Sequence, residues 1–478
     1  MRKYLIFSTL GILGIITVFV MYLSIYGVKT EKFNDLIEDK IKELNPKLSL
    51  NINDVFLKLN TKEKSININT QNAKLYFEEE FIDLSNINLN LDIIKFLKKE
   101  NSIKKINILT KKNNIKKITD FFNSYKFSIP RLIIYNQIEE GNITASIDIK
   151  FLENDQRDFI LNVSGKVSDG KLNILNKIKF WEINFDFSIH DNKYDIKNAT
   201  FKNKGINFSS EKISIKKLDN NYVIKGDLAN KKGLIDPNFF SKIFNFNLDF
   251  LKNNKILAES NNEFEFKVNT KKKIKDLNIN SILNFKEIII NEKIQDLIAF
   301  KNGTININYE RKNLNIDIDS GYSFLKDNYK NDKEDKIKIK IVKKKNKDFI
   351  IEAFVKNKNN SINSNELSNY FKKSSKIIKD QDLTFKSDSH IIFNIDSKNK
   401  VKNLAIKSKI NLEMMLINYK SSNLEEIFSN YKDIVKIKNN SIDIDYSKNK
   451  TKIIAKGDYS FDSQYDKFDF EILKNKNI

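Results

Sequence analysis

Cysteine is absent from the 478 residues, and tryptophan (1), histidine (2), proline (3) and glycine (12) are scarce. Without cysteine there are no disulfides, no thiolate nucleophile and no cysteine-based metal site, a composition compatible with a place outside the cytoplasm. The paucity of histidine and glycine removes whole classes of enzyme. The chain carries no Gly-rich phosphate loop, no His-Glu-x-x-His pair and no Gly-x-Ser-x-Gly elbow. His190 ends an alternating stretch on its polar phase, and His390 closes a Ser-Asp-Ser-His run. Neither has a neighbouring pattern that would make it an acid or base. Asp317/Asp319 and Asp443/Asp445 are Asp-x-Asp pairs of a kind that can hold a divalent cation. They lie in alternating segments, however, where both carboxylates point to one solvent face and serve solubility. No catalytic residue, metal or cofactor is expected.

Charge of one sign is plentiful: 84 basic against 62 acidic residues give a formal net charge of +22. Such an excess suits nucleic acid or an anionic membrane as partner. Here the lysines are spread along the chain and alternate with apolar residues, with no dense basic arm and no interleaved aromatics. They read as the wetted faces of strands, and no nucleic-acid partner is expected. From Tyr4 to Val28 no charged residue occurs, which at 1.5 Å per helical residue is enough to cross a bilayer core. Arg2 and Lys3 precede this run. It is longer than the apolar region of a signal peptide, and no Ala-x-Ala follows, so an uncleaved anchor with an exported body is expected.

After the anchor, Phe33, Leu36, Ile37, Ile41 and Leu44 fall at helical spacing, with Pro46 as a stop. The period then changes to two. Leu48, Leu50 and Ile52 alternate, the phase slips at Asn53-Asp54, and Val55, Leu57 and Leu59 resume. The same pattern recurs in Ile143–Phe151, Trp181–Ile189, Phe264–Val268, Ile305–Tyr309, Ile337–Ile341 and Ile442–Tyr446. Strict alternation predicts strands with one apolar and one polar face, in an antiparallel sheet wetted on one side. Short amphipathic helices are predicted at 115–125, from Asp236-Pro237 through Ile243, and near 292–300, 365–378 and 423–435. Lysine runs at 271–273 and 343–345 read as exposed turns. So many one-faced strands must hide their apolar sides in a packed sandwich, in a barrel, or along a curled sheet whose apolar face is filled by lipid chains.

The first 110 residues resemble the AsmA-like superfamily of envelope proteins, which includes the TamB and YhdP types. The resemblance is carried by the anchor, the helix Glu31–Asn45, the "NPKLSLNINDVFLKL" strand pair, "SININTQNAKLYF" and the stretch "IDLSNINLNLDIIKFLKKENSIKKINIL". It implies a mainly β fold with short helices: an N-terminal transmembrane helix, then an elongated, curled antiparallel sheet forming an apolar groove. The expected layout is an anchor at 1–28, a helix-and-strand region at 29–126 and a groove body at 127–478. The implied place is the inner membrane with the body in the periplasm, and the implied task is non-enzymatic transfer of phospholipid between membranes. The chain is short beside the larger members, so other envelope proteins would have to complete a bridge. Ile147, Ile149, Trp181, Ile183, Phe185 and Phe187, on the apolar phase of the longest strands, are the expected groove liners. The competing reading is a scaffold for outer-membrane assembly, in which these same residues form a dry core between two sheets.

Overall fold

The structure is a computed structural model. It describes residues 2–475 except 32–33, 99–101, 126–136, 153–154, 175–177, 192, 220, 236–254, 270–272, 290–298, 324–334, 346, 365–376, 380, 399 and 429. The fold is mainly β and antiparallel, with few short helices. Contacts divide it into two units, one of Met1–Leu228 with Lys267–Lys273 and one of Ala229–Phe266 with Ile274–Ile478. The predicted helices at Asp236-Pro237, 292–300 and 365–378 lie essentially outside the described residues, as do Phe33 and Lys271–Lys272.

The N-terminal unit opens with helix α1 (Arg2–Ile25), most of whose apolar side chains from Leu10 onward are exposed; Leu13 is 64% and Ile15 71% accessible. Among the described residues no helix is long and apolar enough to cross a membrane. Gly27 ends the helix in the left-handed region at φ 70, its N–H returning to the Tyr22 carbonyl. A Cβ there would lie 2.6 Å from the Leu57 carbonyl oxygen. The chain thereby turns directly into β1 (Val28–Thr30), which pairs with β3 (Val55–Asn60).

Helix α2 (Asn34–Leu44) and helix α4 (Ile115–Tyr125) cover the first strands. Ile37 and Ile41 of α2, and Ile118 and Phe121 of α4, pack on Leu50, Phe77, Ile82, Leu84 and Ile87. The Asn114 carboxamide oxygen accepts the Lys116 N–H at 2.8 Å and caps α4. Full burial of each large apolar side chain in this cluster contributes about 1.5–3 kcal/mol. β2 (Leu48–Asn51) and β3 both form where alternation predicts, yet they do not pair with each other. The phase slip at Asn53-Asp54 sends β2 to β5 (Lys74–Phe77) and β3 to β4 (Ser65–Gln71). β6 (Glu80–Asp92) joins the two sets, its first residues pairing with β5 and its last with β4. Asp92 then caps the short α3 (Ile93–Leu97), accepting N–H groups of Ile94 and Lys95.

From there the ladder runs antiparallel through β7 (Ile103–Thr110), β9 (Ile138–Leu152), β10 (Asp155–Ile174), β11 (Ile178–His190), β12 (Lys193–Asn203) and β13 (Ile206–Leu218), with β8 (Asn113–Asn114) as a two-residue addition to β9. Bulges recur at one level in neighbouring strands. Asp169, Glu182 and Asn198 take φ of 55, 53 and 53, each beside a register shift. A bulge bends its strand and raises the local twist, so a row of them creases the sheet.

β14 (Asn221–Ile235) crosses from one unit to the other. β15 (Ile256–Asn269) belongs largely to the C-terminal unit, where β16 (Ile274–Ile289), β17 (Ala299–Glu310), β18 (Asn313–Ser323), β19 (Asp335–Lys343), β20 (Phe349–Asn363), β21 (Asp382–Ile395), β22 (Val401–Asn418), β23 (Ile434–Tyr446), β24 (Lys450–Ser460) and β25 (Asp466–Asn475) form an antiparallel meander. Its register sets Leu283, Ile305, Ile318, Ile339, Ala353, Ile391, Ile406 and Tyr446 in one row across eight strands. The helix predicted at 423–435 is shorter, α5 (Ser422–Ile427), because Phe428 and Tyr431 pack on Phe461 at 5.1 and 5.9 Å between ring centres. Large apolar strand residues such as Phe159, Ile282, Phe354 and Phe470 are 45–51% accessible, so those parts of the strands have no second layer over them.

Candidate functional site: the apolar face of the N-terminal sheet

On β9, β10 and β11 the apolar residues meet in cross-strand rows. Ile149 stands beside Leu161 and Ile106. Ile147 stands beside Val163 and Ile108, and Val163 beside Ile189. The next row holds Ala145, Gly165 and Phe187, and continues to Ile196 and Ile213. The third holds Ile143, Val167 and Phe185. Ile183 follows opposite Gly170. Five of the six residues expected to line a groove thus share one face. Ile183 is buried, 8% accessible, while Ile147, Ile149, Phe185 and Phe187 are half-buried. Phe159 and Leu161, on the same face, are 51% and 38% accessible.

Trp181 does not belong to this set. Glu182 adopts φ 53 and adds one residue to β11, which moves everything before it to the opposite phase. Trp181 therefore stands beside Lys202, on the face of Asn184 and Thr200. Phe180 takes its place on the apolar face, edge-on to Phe201 at 5.3 Å, and Phe201 stacks on Phe208 at 5.2 Å. The signal that could have disclosed this is the Phe-Trp pair itself, since two adjacent aromatics leave the phase of the strand ambiguous.

Gly165 has a structural reason to be there. A Cβ at this position would meet the Thr144 carbonyl oxygen at 2.2 Å and the Phe187 ring at 2.7 Å. The Phe187 ring lies across the glycine from the neighbouring strand. Gly303 with Phe285 and Gly457 with Phe468 repeat the arrangement in the C-terminal unit. Helix α4 reaches this sheet at Gly141, where Ile115 would contact an added Cβ at 2.7 Å. Its Phe121 covers Ile87, and Ile108 packs at the margin of the same cluster. Beyond that margin the apolar face of β9–β13 is only half covered.

The polar face of the same sheet is dressed with ion pairs and amide ladders. Lys105 meets Asp148 at 3.1 Å, Lys171 meets Glu140 at 2.6 Å and Lys202 meets Glu182 at 2.5 Å. The Asn107 amide and then Lys105 hold the Asp148 carboxyl below its ordinary pKa. Burial raises the Asp195 pKa, but the Ser214 hydroxyl and Lys193 outweigh it and the net shift is downward. These exposed pairs stabilise by only about 0–1 kcal/mol each. They keep one face wet while the other stays apolar.

The two histidines are bonded on the sheet surface. His190 shares a hydrogen bond with Asn162 and lies 3.2 Å from Asp191. His390 bonds Glu352 at 2.7 Å and stacks on Phe354 at 4.3 Å. Asp319 pairs with Lys338 at 2.9 Å, and Asp317 stands opposite Lys340. Asp443 and Asp445 stand opposite Lys409 and Lys407. Among the described residues no cluster of three metal-ligating side chains occurs.

No family model matches the chain, and no curated protein or solved structure resembles it significantly.

Proposed function

We propose that the chain is a membrane-anchored, non-enzymatic lipid-handling protein of the AsmA-like type, with α1 in the inner membrane and the body in the periplasm. The apolar sheet face would accept phospholipid acyl chains. The observation that carries this reading is the half-exposed face formed by Ile147, Ile149, Phe185 and Phe187 in register. A dry sandwich core would bury such residues fully, and a wetted sheet would place polar residues there. Acyl chains leaving a bilayer for this surface exchange one apolar environment for another at little net cost, while head groups stay at the wet margin. The mostly apolar, mostly exposed side chains of α1 from Leu10 onward suit an anchor, and Gly27 joins that helix to β1 of the sheet.

Photo-crosslinking tests this proposal. A photoreactive residue at Phe185 or Ile147 of the membrane-embedded chain should capture phospholipid, detectable by mass spectrometry. The same residue at Asn184 or Asp148, on the opposite face, should not. A folded protein with no lipid at either apolar position would overturn the groove and favour an assembly scaffold.

A further inference from the structure

On the polar face of the N-terminal sheet lies a depression of about 570 Å³, lined by Ser85, Leu109 and Thr110 on one wall and by residues of β9–β12. Its floor follows the register. Ser146, Ser164 and Ser188 stand side by side on three adjacent strands, and Thr144, Lys166, Asp186 and Lys197 form the next row. Neither Lys166 nor Lys197 has an ion-pair partner among the described residues, whereas Lys105, Lys171 and Lys202 on the same face are all paired. The Ser164 and Ser188 hydroxyls are likewise without a hydrogen-bond partner among the described residues. Asp186 is engaged by the Asn198 amide at 2.9 Å.

We infer that this depression binds a phosphate ester of a polyol. Two unpaired ammonium groups and two open hydroxyls supply donors for phosphate oxygens, and charge-assisted bonds of this kind are the stronger class. Asp186, held at one edge, offers an acceptor for a ligand hydroxyl, and the three charged groups sum to one positive charge. A bare anion would use the lysines but leave Asp186 repulsive, so the ester is favoured over inorganic phosphate. Two sources share this chemistry, a soluble polyol phosphate and a glycerophosphate head group. The polar side chains that would hold the ligand stand on the opposite phase from the proposed acyl surface, although Ala145, Gly165 and Phe187 of the apolar row also line the depression, and titration with a soluble ester tests the site without acyl chains.

Calorimetric titration of the full chain in detergent with glycerol phosphate, inorganic phosphate and dihexanoyl phosphatidylglycerol would decide. Glycerol phosphate should bind saturably and more tightly than inorganic phosphate. The double variant Lys166→Gln/Lys197→Gln should weaken it at least tenfold, and Lys105→Gln, a paired lysine nearby, should change it less than twofold. Tighter binding of the lipid than of glycerol phosphate would assign the head group as the source, and the reverse a soluble ester. Absence of saturable binding for every probe, or binding untouched in the double variant, would overturn the site.

Discussion

Single residues in this sheet do work that composition conceals. Asp92 caps α3 and pairs with Lys104 at 2.9 Å; that lysine and the two backbone N–H groups lower its pKa from 3.8 to about 2. A carboxylate with a depressed folded-state pKa contributes stability above its unfolded value and loses it as pH falls. Asp92 should therefore stabilise fully above about pH 4 and progressively less between pH 4 and pH 2. Asp92→Asn should flatten acid unfolding in that window, as followed by circular dichroism. Gly165→Ala, where the new Cβ meets a backbone carbonyl at 2.2 Å, should destabilise by about 1–3 kcal/mol in denaturant unfolding. Neither role was legible beforehand: a cap needs the helix boundary, and Gly165 needs its cross-strand neighbours.

At the level of elements, alternation placed the strands well, and helical spacing found α2 and α4. What it missed was pairing. β2 and β3 follow each other in sequence but join different partners, because β6 bends to serve both β4 and β5. The helices matter for sealing this end. Phe121 of α4 is 4% accessible and sits edge-on to Phe77 at 6.2 Å. Phe121→Ala should cost about 3–5 kcal/mol and lower the thermal midpoint of the N-terminal unit. A change at the exposed Phe122 should cost far less, and equal effects would show that α4 does not seal the cluster. The predicted helix at 423–435 ends early for a tertiary reason: Phe428 and Tyr431 have aromatic partners waiting on Phe461.

Each unit sets apolar rows on one sheet face and charged residues on the other, and in the C-terminal unit one row runs across eight strands. The single tryptophan tests which face lipid meets. Trp181 stands with Lys202 on the polar face, so brominated phospholipid should leave its fluorescence nearly unquenched. With Trp181→Phe in place, Phe185→Trp should be quenched strongly. The opposite pattern would mean that lipid sits on the polar face, contrary to the proposed function.

The sequence by itself determined strand content, one-sidedness and the absence of recognisable catalytic motifs, because a period of two and residue chemistry are local properties. Only the tertiary structure decided which strands are neighbours and which glycines must remain glycine. It also decided that Trp181 changes sides. Each of these depends on a register between distant segments, and a single extra residue at a bulge such as Glu182 reverses the face of all that precedes it.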